Sequence, residues 1–328
     1  MDPLSDVLSL LRPHVYVTGA LSAGAPWSLQ LPAYRGMKCY MVVKGECQLS
    51  VEGVEQPFTL REGGCLLLPH GRPFVIASDL SLPPVGARTV VSKVERYNGV
   101  LTVSPGEDFL ALGSHFDLGN DASFLLDVLP PVVFVEDETQ QELTRWAVKR
   151  ILHEMRNPLP GGTLVAQQVA YTILIDALRL HLATQKQLGP GWLSALADKR
   201  MRTALSRIHE EPARAWTLEE LARLAGMSRT AFAQTFKRSV GETPMAYLTR
   251  WRMTLAASRM RDERETISSV ASSVGYQSES AFCAAFKRQL GSSPRQYLHG
   301  GRSQRFCRDS ADQANLFDIV RNPYIISE

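Results

Sequence analysis

Gln234 lies between Phe232 and Phe236, and with Arg229, Thr230 and Lys237 it forms a polar set at helical spacing. On a wheel of 3.6 residues per turn, Phe232, Phe236 and Val240 fall at i, i+4 and i+8 and share one face. Thr230 and Gln234 then lie roughly opposite, with Lys237 close by and Arg229 and Ala233 on the flank. A face of phenylalanines must be buried, so the amide, hydroxyl and guanidinium are the groups presented outward. Gln, Arg, Ser and Thr carry the donor and acceptor sets that base edges in a DNA major groove require. Lys237 and Arg238 sit toward the helix end, where neutralising phosphate is the expected task.

The same arrangement occurs a second time. Phe236-Lys-Arg-Ser-Val-Gly-Glu-Thr-Pro-Met-Ala-Tyr-Leu248 matches Phe286-Lys-Arg-Gln-Leu-Gly-Ser-Ser-Pro-Arg-Gln-Tyr-Leu298 without a gap, at an offset of 50 residues. Ahead of each copy stands a matching apolar and glycine pattern, Leu221-Ala222 with Ala225-Gly226-Met227 and Val270-Ala271 with Val274-Gly275-Tyr276. One supersecondary unit has been used twice. In the second copy Phe282, Phe286 and Leu290 form the buried stripe, and the opposite face holds Ser280, Ala284 and Lys287, flanked by Glu279 and Cys283. Lys287 and Arg288 repeat the phosphate-facing pair.

These side chains need a helix-turn-helix frame. Thr217 and Glu220 have capping-box spacing ahead of Leu221 and Leu224, Gly226 supplies the turn, and Ser228 caps the second helix. Thr243-Pro244 starts a further helix, uninterrupted to Met260 and about 25 Å long at 1.5 Å per residue. A rigid spacer of that length suits two recognition helices in successive major grooves, about 34 Å apart on one face of a duplex.

Charge agrees with a polyanion partner on one side of the chain. Residues 191–300 hold 17 Lys+Arg against 10 Asp+Glu, whereas residues 1–190 hold 15 against 19, within a net charge of +3 over 328 residues.

From about Gly191 to Leu298 the chain resembles the DNA-binding domain of the AraC/XylS family of bacterial transcription regulators. The residues that carry the resemblance are Trp216-Thr-Leu-Glu-Glu-Leu-Ala-Arg-Leu-Ala-Gly-Met-Ser-Arg, Pro244-Met-Ala-Tyr-Leu-Thr-Arg-Trp-Arg-Met and Val274-Gly-Tyr-Gln-Ser-Glu-Ser-Ala-Phe. It implies control of transcription, often activation, with double-stranded DNA and RNA polymerase as partners and a second domain that senses a signal. Ala281 and Ala284 occupy exposed positions that often carry larger polar residues in relatives. More direct readout is therefore expected from Arg229, Thr230 and Gln234.

In the N-terminal half the pattern changes to period two: Cys47, Leu49 and Val51 alternate with Gln48, Ser50 and Glu52, and Gly45, Gly53 and Gly63-Gly64 punctuate short runs. Further strands are expected at Thr89 to Val94 and Asn98 to Val103. Such short, evenly spaced strands indicate a sandwich or small barrel. The stretch from Val42-Val43-Lys-Gly45 through Leu66-Leu67-Leu68-Pro69-His70-Gly71-Arg72-Pro73 resembles the cupin barrel that precedes the DNA-binding domain in many AraC-type regulators. Metal-binding cupins gather two or three histidines and a carboxylate, but here Cys39 and Tyr40 stand where histidines would be, Phe74 follows the turn, and His70 is alone. One imidazole cannot make a three-ligand catalytic site, so no metal, cofactor or enzymatic activity is expected. An enzyme built on the barrel with an appended DNA-binding tail is the competing reading, and bound metal would revive it.

What remains for the barrel is a pocket for an unknown small-molecule effector or a redox-sensitive thiol. Cys39, Cys47 and Cys65 fall in the strands, where an inert small hydrophobe is the commoner role, and Cys65 beside Gly63-Gly64 is the best-placed sensor. Five cysteines without a CxxC pair argue against a disulfide framework or a structural zinc site.

Two helices follow, Glu138 to Arg156 and Thr163 to Thr184. The apolar stripe of the second, from Leu164 to Leu182, packs on the barrel and also offers a homodimer contact. The chain thus reads as α+β. A cupin-like β-barrel with two following helices occupies residues 1–188 and serves for sensing and dimerisation. An all-α domain of two helix-turn-helix units joined by a linker helix occupies 189–299, entered through Gly189-Pro190-Gly191, and a flexible tail covers 300–328. The N-terminus lacks a basic stretch ahead of an apolar run, and no apolar run reaches the roughly 18 residues a membrane span needs, so a cytoplasmic location is expected.

Overall fold

Short runs rich in Val, Leu and Ile, several of them ended by a glycine-containing turn, become strands, and the long runs with apolar residues every three or four positions become helices. A computed structural model describes residues 2–11, 14–91, 96–97, 100–117, 129–135, 138–157, 159–184, 192–260 and 265–298. The expected linker at 189–191 and the tail at 300–328 lie outside them. Two compact units emerge: residues 14–117 with 129–184, and residues 192–298 joined by the N-terminal residues 2–11.

The first unit is the cupin-like fold. Its larger sheet has the order β12-β6-β3-β11-β1-β10-β9, formed by β1 (His14–Ala23), β3 (Met37–Lys44), β6 (Cys65–Leu68), β9 (Arg96–Tyr97), β10 (Val100–Thr102), β11 (Phe109–Asp117) and β12 (Val133–Val135). The smaller sheet runs β5-β4-β7-β2-β8, from β2 (Ser28–Leu31), β4 (Glu46–Val51), β5 (Phe58–Arg61), β7 (Phe74–Ala77) and β8 (Val85–Gly86). Side chains from both sheets fill one core: Tyr40, Val42, Leu66 and Leu68 meet Leu29, Leu49, Phe74 and Ile76. Alternate residues along a strand point to opposite faces. Because β3 pairs with β6 so that Cys39 faces Leu67 and Met41 faces Cys65, these four point away from that core while Tyr40 and Leu66 point into it.

The outward face of the larger sheet is covered by α3 (Glu138–Arg156) and α4 (Gly162–Thr184), which pack on each other and on the strands. Ala170, Leu174, Ala177 and Leu178 are buried along α4, whereas Leu164 at its start is exposed. One expected strand is absent. The described part of Thr89 to Val94 belongs to α2 (Ala87–Val91), a five-residue helix whose β-branched residues Thr89, Val90 and Val91 mimic a strand signal. Asn98 to Val103 contributes β10.

The second unit is helical: α5 (Trp192–Ala197), α6 (Lys199–Glu210), α7 (Leu218–Leu224), α8 (Arg229–Val240), α9 (Pro244–Met260), α10 (Ile267–Ser273) and α11 (Glu279–Leu290). A nine-residue helix, α1 (Pro3–Leu11), packs against α6 and α9. By its contacts this segment groups with the helical unit. The linker helix α9 belongs to both halves of the repeat. Tyr247, Leu248 and Trp251 are buried near its start, with Phe236 edge-on to Tyr247, while Met253, Ala256, Ala257 and Met260 join Val270, Phe282 and Phe286 in a second core.

Candidate nucleic-acid interface

Each recognition helix begins and ends on local chemistry. Ser228 accepts a hydrogen bond from the Ala231 N–H and Ser278 from the Ala281 N–H, so both α8 and α11 start at a serine cap. Both stop where a glycine takes the left-handed conformation, Gly241 and Gly291. The preceding α7 opens on the full capping box, with the Thr217 hydroxyl accepting from the Glu220 N–H and the Glu220 carboxylate accepting from the Thr217 N–H at 3.0 Å. The backbone hydrogen bond from Thr217 heads the interactions that hold the Glu220 carboxyl below its usual range. Arg214 ties the box to the preceding loop, reaching both Glu211 and Glu220 at 3.2 Å and lying over the Trp216 ring.

Between caps the two faces separate as the spacing requires. Phe232, Phe236, Phe282 and Phe286 are wholly buried, and each consecutive pair of rings packs at 5.6 Å. On the other face Arg229, Thr230, Gln234, Lys237 and Arg238 are exposed and Ala233 is half-buried. In α11, Glu279, Ser280, Ala281, Ala284, Lys287 and Arg288 are exposed and Cys283 is half-buried. Burial, with Glu279 nearby, raises the Cys283 thiol.

Three features of the helical unit had no signature in the sequence spacing. Glu219, in the first turn of α7, holds the Arg229 guanidinium at 2.9 Å, an ion pair across the turn. The turns of the two units also differ. Gly226 has φ +64° and open space where a side chain would begin, whereas at Gly275, φ +86°, an added Cβ would meet the Ala213 carbonyl oxygen at 2.5 Å. The second turn is therefore locked against the loop that precedes the first unit. The third feature is a buried polar cluster beneath α9. His209 stacks on Trp251 with ring centroids 3.8 Å apart, its Nε2 lies 2.7 Å from the Tyr247 hydroxyl, and its Nδ1 lies 3.4 Å from the Asp6 carboxylate of α1. At 3.4 Å, with no hydrogen bond formed at Nδ1, the Asp6 contact is a charge proximity. Burial accordingly dominates and holds His209 below the ordinary imidazole range, with Asp6 pulling the other way.

The cupin family matches residues 2–183, and the helix-turn-helix domain family matches residues 221–300. A putative AraC-like transcription regulator of Streptomyces lividans is 42% identical over 281 residues, covering 85% of this chain and 92% of that one. This chain belongs to the AraC-like transcription regulators. Another relative of this AraC-like regulator is the RCS-specific HTH-type transcriptional activator RclR of Escherichia coli K12, 31% identical over 85% of this chain and 90% of that one. Among solved structures, the DNA-binding domain of AdpA in complex with a target DNA is 30% identical, covering 31% of this chain and 92% of that one with a TM-score of 0.30. The AraC-like regulator described here is thus a DNA-binding protein with an N-terminal cupin domain.

In the cupin domain of this AraC-like regulator the expected sensor residues do not share one site: Tyr40, Cys47 and Phe74 lie in the inner core, Cys39 and Cys65 on the other face of the larger sheet, and His70 on a turn. Tyr40 and Phe74 face the inner core, edge to face at 5.7 Å, and Cys47 lies there too, its thiol pushed up to about 12 chiefly by burial. Tyr40 lines a narrow apolar cavity with Leu29, Leu31, Ile76 and Ala111, and its hydroxyl is buried with no hydrogen-bond partner among the described residues. His70 is exposed on its turn, with Nε2 at 2.8 Å from the Leu129 carbonyl oxygen. Cys39 and Cys65 lie on the other side of the larger sheet, 3.5 Å apart at sulfur. Among the described residues no cluster of three or more His, Cys, Asp and Glu side chains has metal-binding geometry, and no helix is long and apolar enough to cross a membrane.

Proposed function

We propose that this regulator reads a bipartite duplex site, with α8 entering one major groove and α11 the next, and that it activates transcription in response to a signal taken up by its cupin domain. The observation that carries the reading is the two-sided α8, whose buried Phe232 and Phe236 leave Arg229, Thr230 and Gln234 presented together. Those three, with Ala233 beside them, face base edges, while Lys237, Arg238, Lys287 and Arg288 neutralise phosphate. Glu279, Ser280 and Cys283 form the corresponding face of α11, which contributes less readout because Ala281 and Ala284 carry no polar group.

An activating role, with RNA polymerase as partner, is supported by the name of the E. coli relative, a transcriptional activator. The relatives are named as regulators, which supports a non-enzymatic cupin domain working in the cytoplasm. The signal is either a small, mostly apolar molecule satisfying the Tyr40 hydroxyl or a redox event at the thiols. Dimerisation through the outer face of α4, which carries exposed Leu164, would place two such readers on one operator.

The test is affinity at fixed salt for a duplex selected from a random pool against unselected duplex of equal length. A sequence-specific regulator binds the selected duplex roughly a thousandfold tighter or more. Equal affinity for both would reduce the protein to a non-specific DNA binder.

A further inference from the structure

We infer that Cys39 and Cys65 form a reversible disulfide-switch site, oxidised by small neutral two-electron oxidants of the hydrogen peroxide and hypochlorous acid class that reach Cys65 through a cleft beneath α3 and α4. The regulatory half of this inference rests on the proposed function above; the chemical half does not.

The geometry has three parts. First, the two sulfurs are in contact at 3.5 Å and their residues are 1% and 2% exposed, so bulky thiols such as glutathione do not reach the reduced pair. Cys47, the other thiol of this unit, lies in the inner core on the opposite face of the fold. Second, Cys65 lines a small open cleft together with Leu143, Thr144 and Trp146 of α3 and Thr172 and Asp176 of α4. Trp146 is 60% exposed, and the cleft admits molecules a few atoms across. Cys39 does not line it. Access therefore assigns the order of events, with Cys65 attacked first and Cys39 resolving.

Third, the pair is diagonal across β3 and β6, because Cys39 is in register with Leu67 and Cys65 with Met41. Diagonal neighbours in an antiparallel pair have Cα atoms roughly 7–8 Å apart, beyond the usual disulfide span of about 4.4–6.8 Å. Closing the sulfurs from 3.5 Å to a bond of about 2.0 Å shears β6 along β3. Strain of that kind makes a disulfide easy to reduce, which suits a switch rather than a permanent staple. The sheared face is the one on which α3 and α4 pack, and α4 is the last described element before the DNA-binding unit begins.

The chemistry balances with peroxide as oxidant. The contact with Cys65, followed by burial, raises the Cys39 thiol well above the ordinary range, so Cys39 holds its proton while Cys65 reacts. Cys65 loses its proton to solvent and attacks one peroxide oxygen. The O–O bond breaks, hydroxide leaves and is protonated to water, and Cys65 becomes a sulfenic acid. The Cys39 sulfur then displaces the sulfenic oxygen as a second water, forming the S–S bond as its own proton departs. Two thiols and one peroxide become one disulfide and two waters.

The experiment uses the reduced full chain, titrated with hydrogen peroxide or hypochlorous acid, quenched with an alkylating agent, digested and mapped by mass spectrometry. The first product expected is a crosslinked peptide pair containing Cys39 and Cys65, lighter by two hydrogens and released by dithiothreitol. Separate sulfinic or sulfonic acids at the two positions, or a crosslink through Cys47, Cys283 or Cys307 in its place, would overturn the chemistry. In parallel, affinity for the selected duplex should change at least tenfold on oxidation of the wild type and recover on reduction, with no such change in Cys39→Ala. Cys65→Ala serves if the first variant fails to fold, and the wild-type peptide map needs neither. A crosslink with unchanged affinity and transcription would overturn the switch while leaving the DNA reading of the reduced protein intact. Failure of the reduced protein to prefer any duplex would instead fall on the proposed function.

Discussion

Replacing Glu219 by glutamine releases Arg229 and should tighten DNA binding. In the free protein Arg229 Nε lies 2.9 Å from Glu219 Oε1, with the two side chains 66% and 60% exposed. A pair this open to water contributes about 0.2–1 kcal/mol. Arg229 is the first helical residue of α8. A duplex entered by that end of the helix takes the guanidinium from Glu219 or leaves an acidic group beside its phosphates. Removing the charge spares at most that energy, so Kd should fall by no more than about fivefold. The same substitution deletes an acidic group from the first turn of α7, where it complements the helix dipole by about 0.3–1 kcal/mol. The variant should therefore bind tighter while melting slightly lower, two shifts of opposite sign from one atom change. Fluorescence anisotropy of a labelled duplex between about 50 and 200 mM salt is the assay, and the gain should shrink as salt screens exposed charges. Weaker binding by Glu219→Gln would mean that the carboxylate orients Arg229 for contact. Unchanged binding at every salt concentration would remove Arg229 from the interface.

Two further outcomes follow from the same geometry. His209 is buried and held below the ordinary imidazole range, so on acidification the unfolded chain takes up its proton first. The contribution of His209 to stability is thus whole above about pH 6.5 and declines as pH falls below it. Urea unfolding at neutral and mildly acidic pH should show this loss in the wild type and a smaller one in His209→Gln; a gain on acidification attributable to His209 would refute it. Gly275→Ala should destabilise more than Gly226→Ala. Both meet the left-handed backbone cost of about 1–2 kcal/mol, but only the first drives a Cβ to 2.5 Å from the Ala213 carbonyl oxygen. Equal melting points for the two variants would contradict the lock.

Much of the DNA-binding half was legible because its signals are local. A phenylalanine at i and i+4, a serine cap four residues before the first phenylalanine and a glycine stop sit within one helix each, and tertiary packing had nothing to override. The cupin domain was legible as short strands, but the facing of its cysteines was not. Met37 to Val42 is buried throughout because β3 is covered on both sides, so no polar alternation marks which residues point inward. Only the pairing of β3 with β6, set by residues 26 positions apart, brings Cys39 to Cys65. The attachment of α1 to α6 and α9 was hidden for the same reason. Its apolar face, Leu4, Val7 and Leu8, fits any core, and its partner lies roughly two hundred residues downstream. The strand expected at Thr89 failed where β-branched residues were read as backbone preference, although they need only a half-buried surface.

The most direct measurement of the recognition face compares Gln234→Ala with Lys237→Ala on the selected duplex and its single-base variants across a salt series. Gln234→Ala should cost about 1–3 kcal/mol and relax preference at one base pair, whereas Lys237→Ala should weaken every sequence alike and lower the salt slope by about one unit. Identical effects of the two substitutions on every sequence would contradict the assignment of α8 as the helix that reads bases.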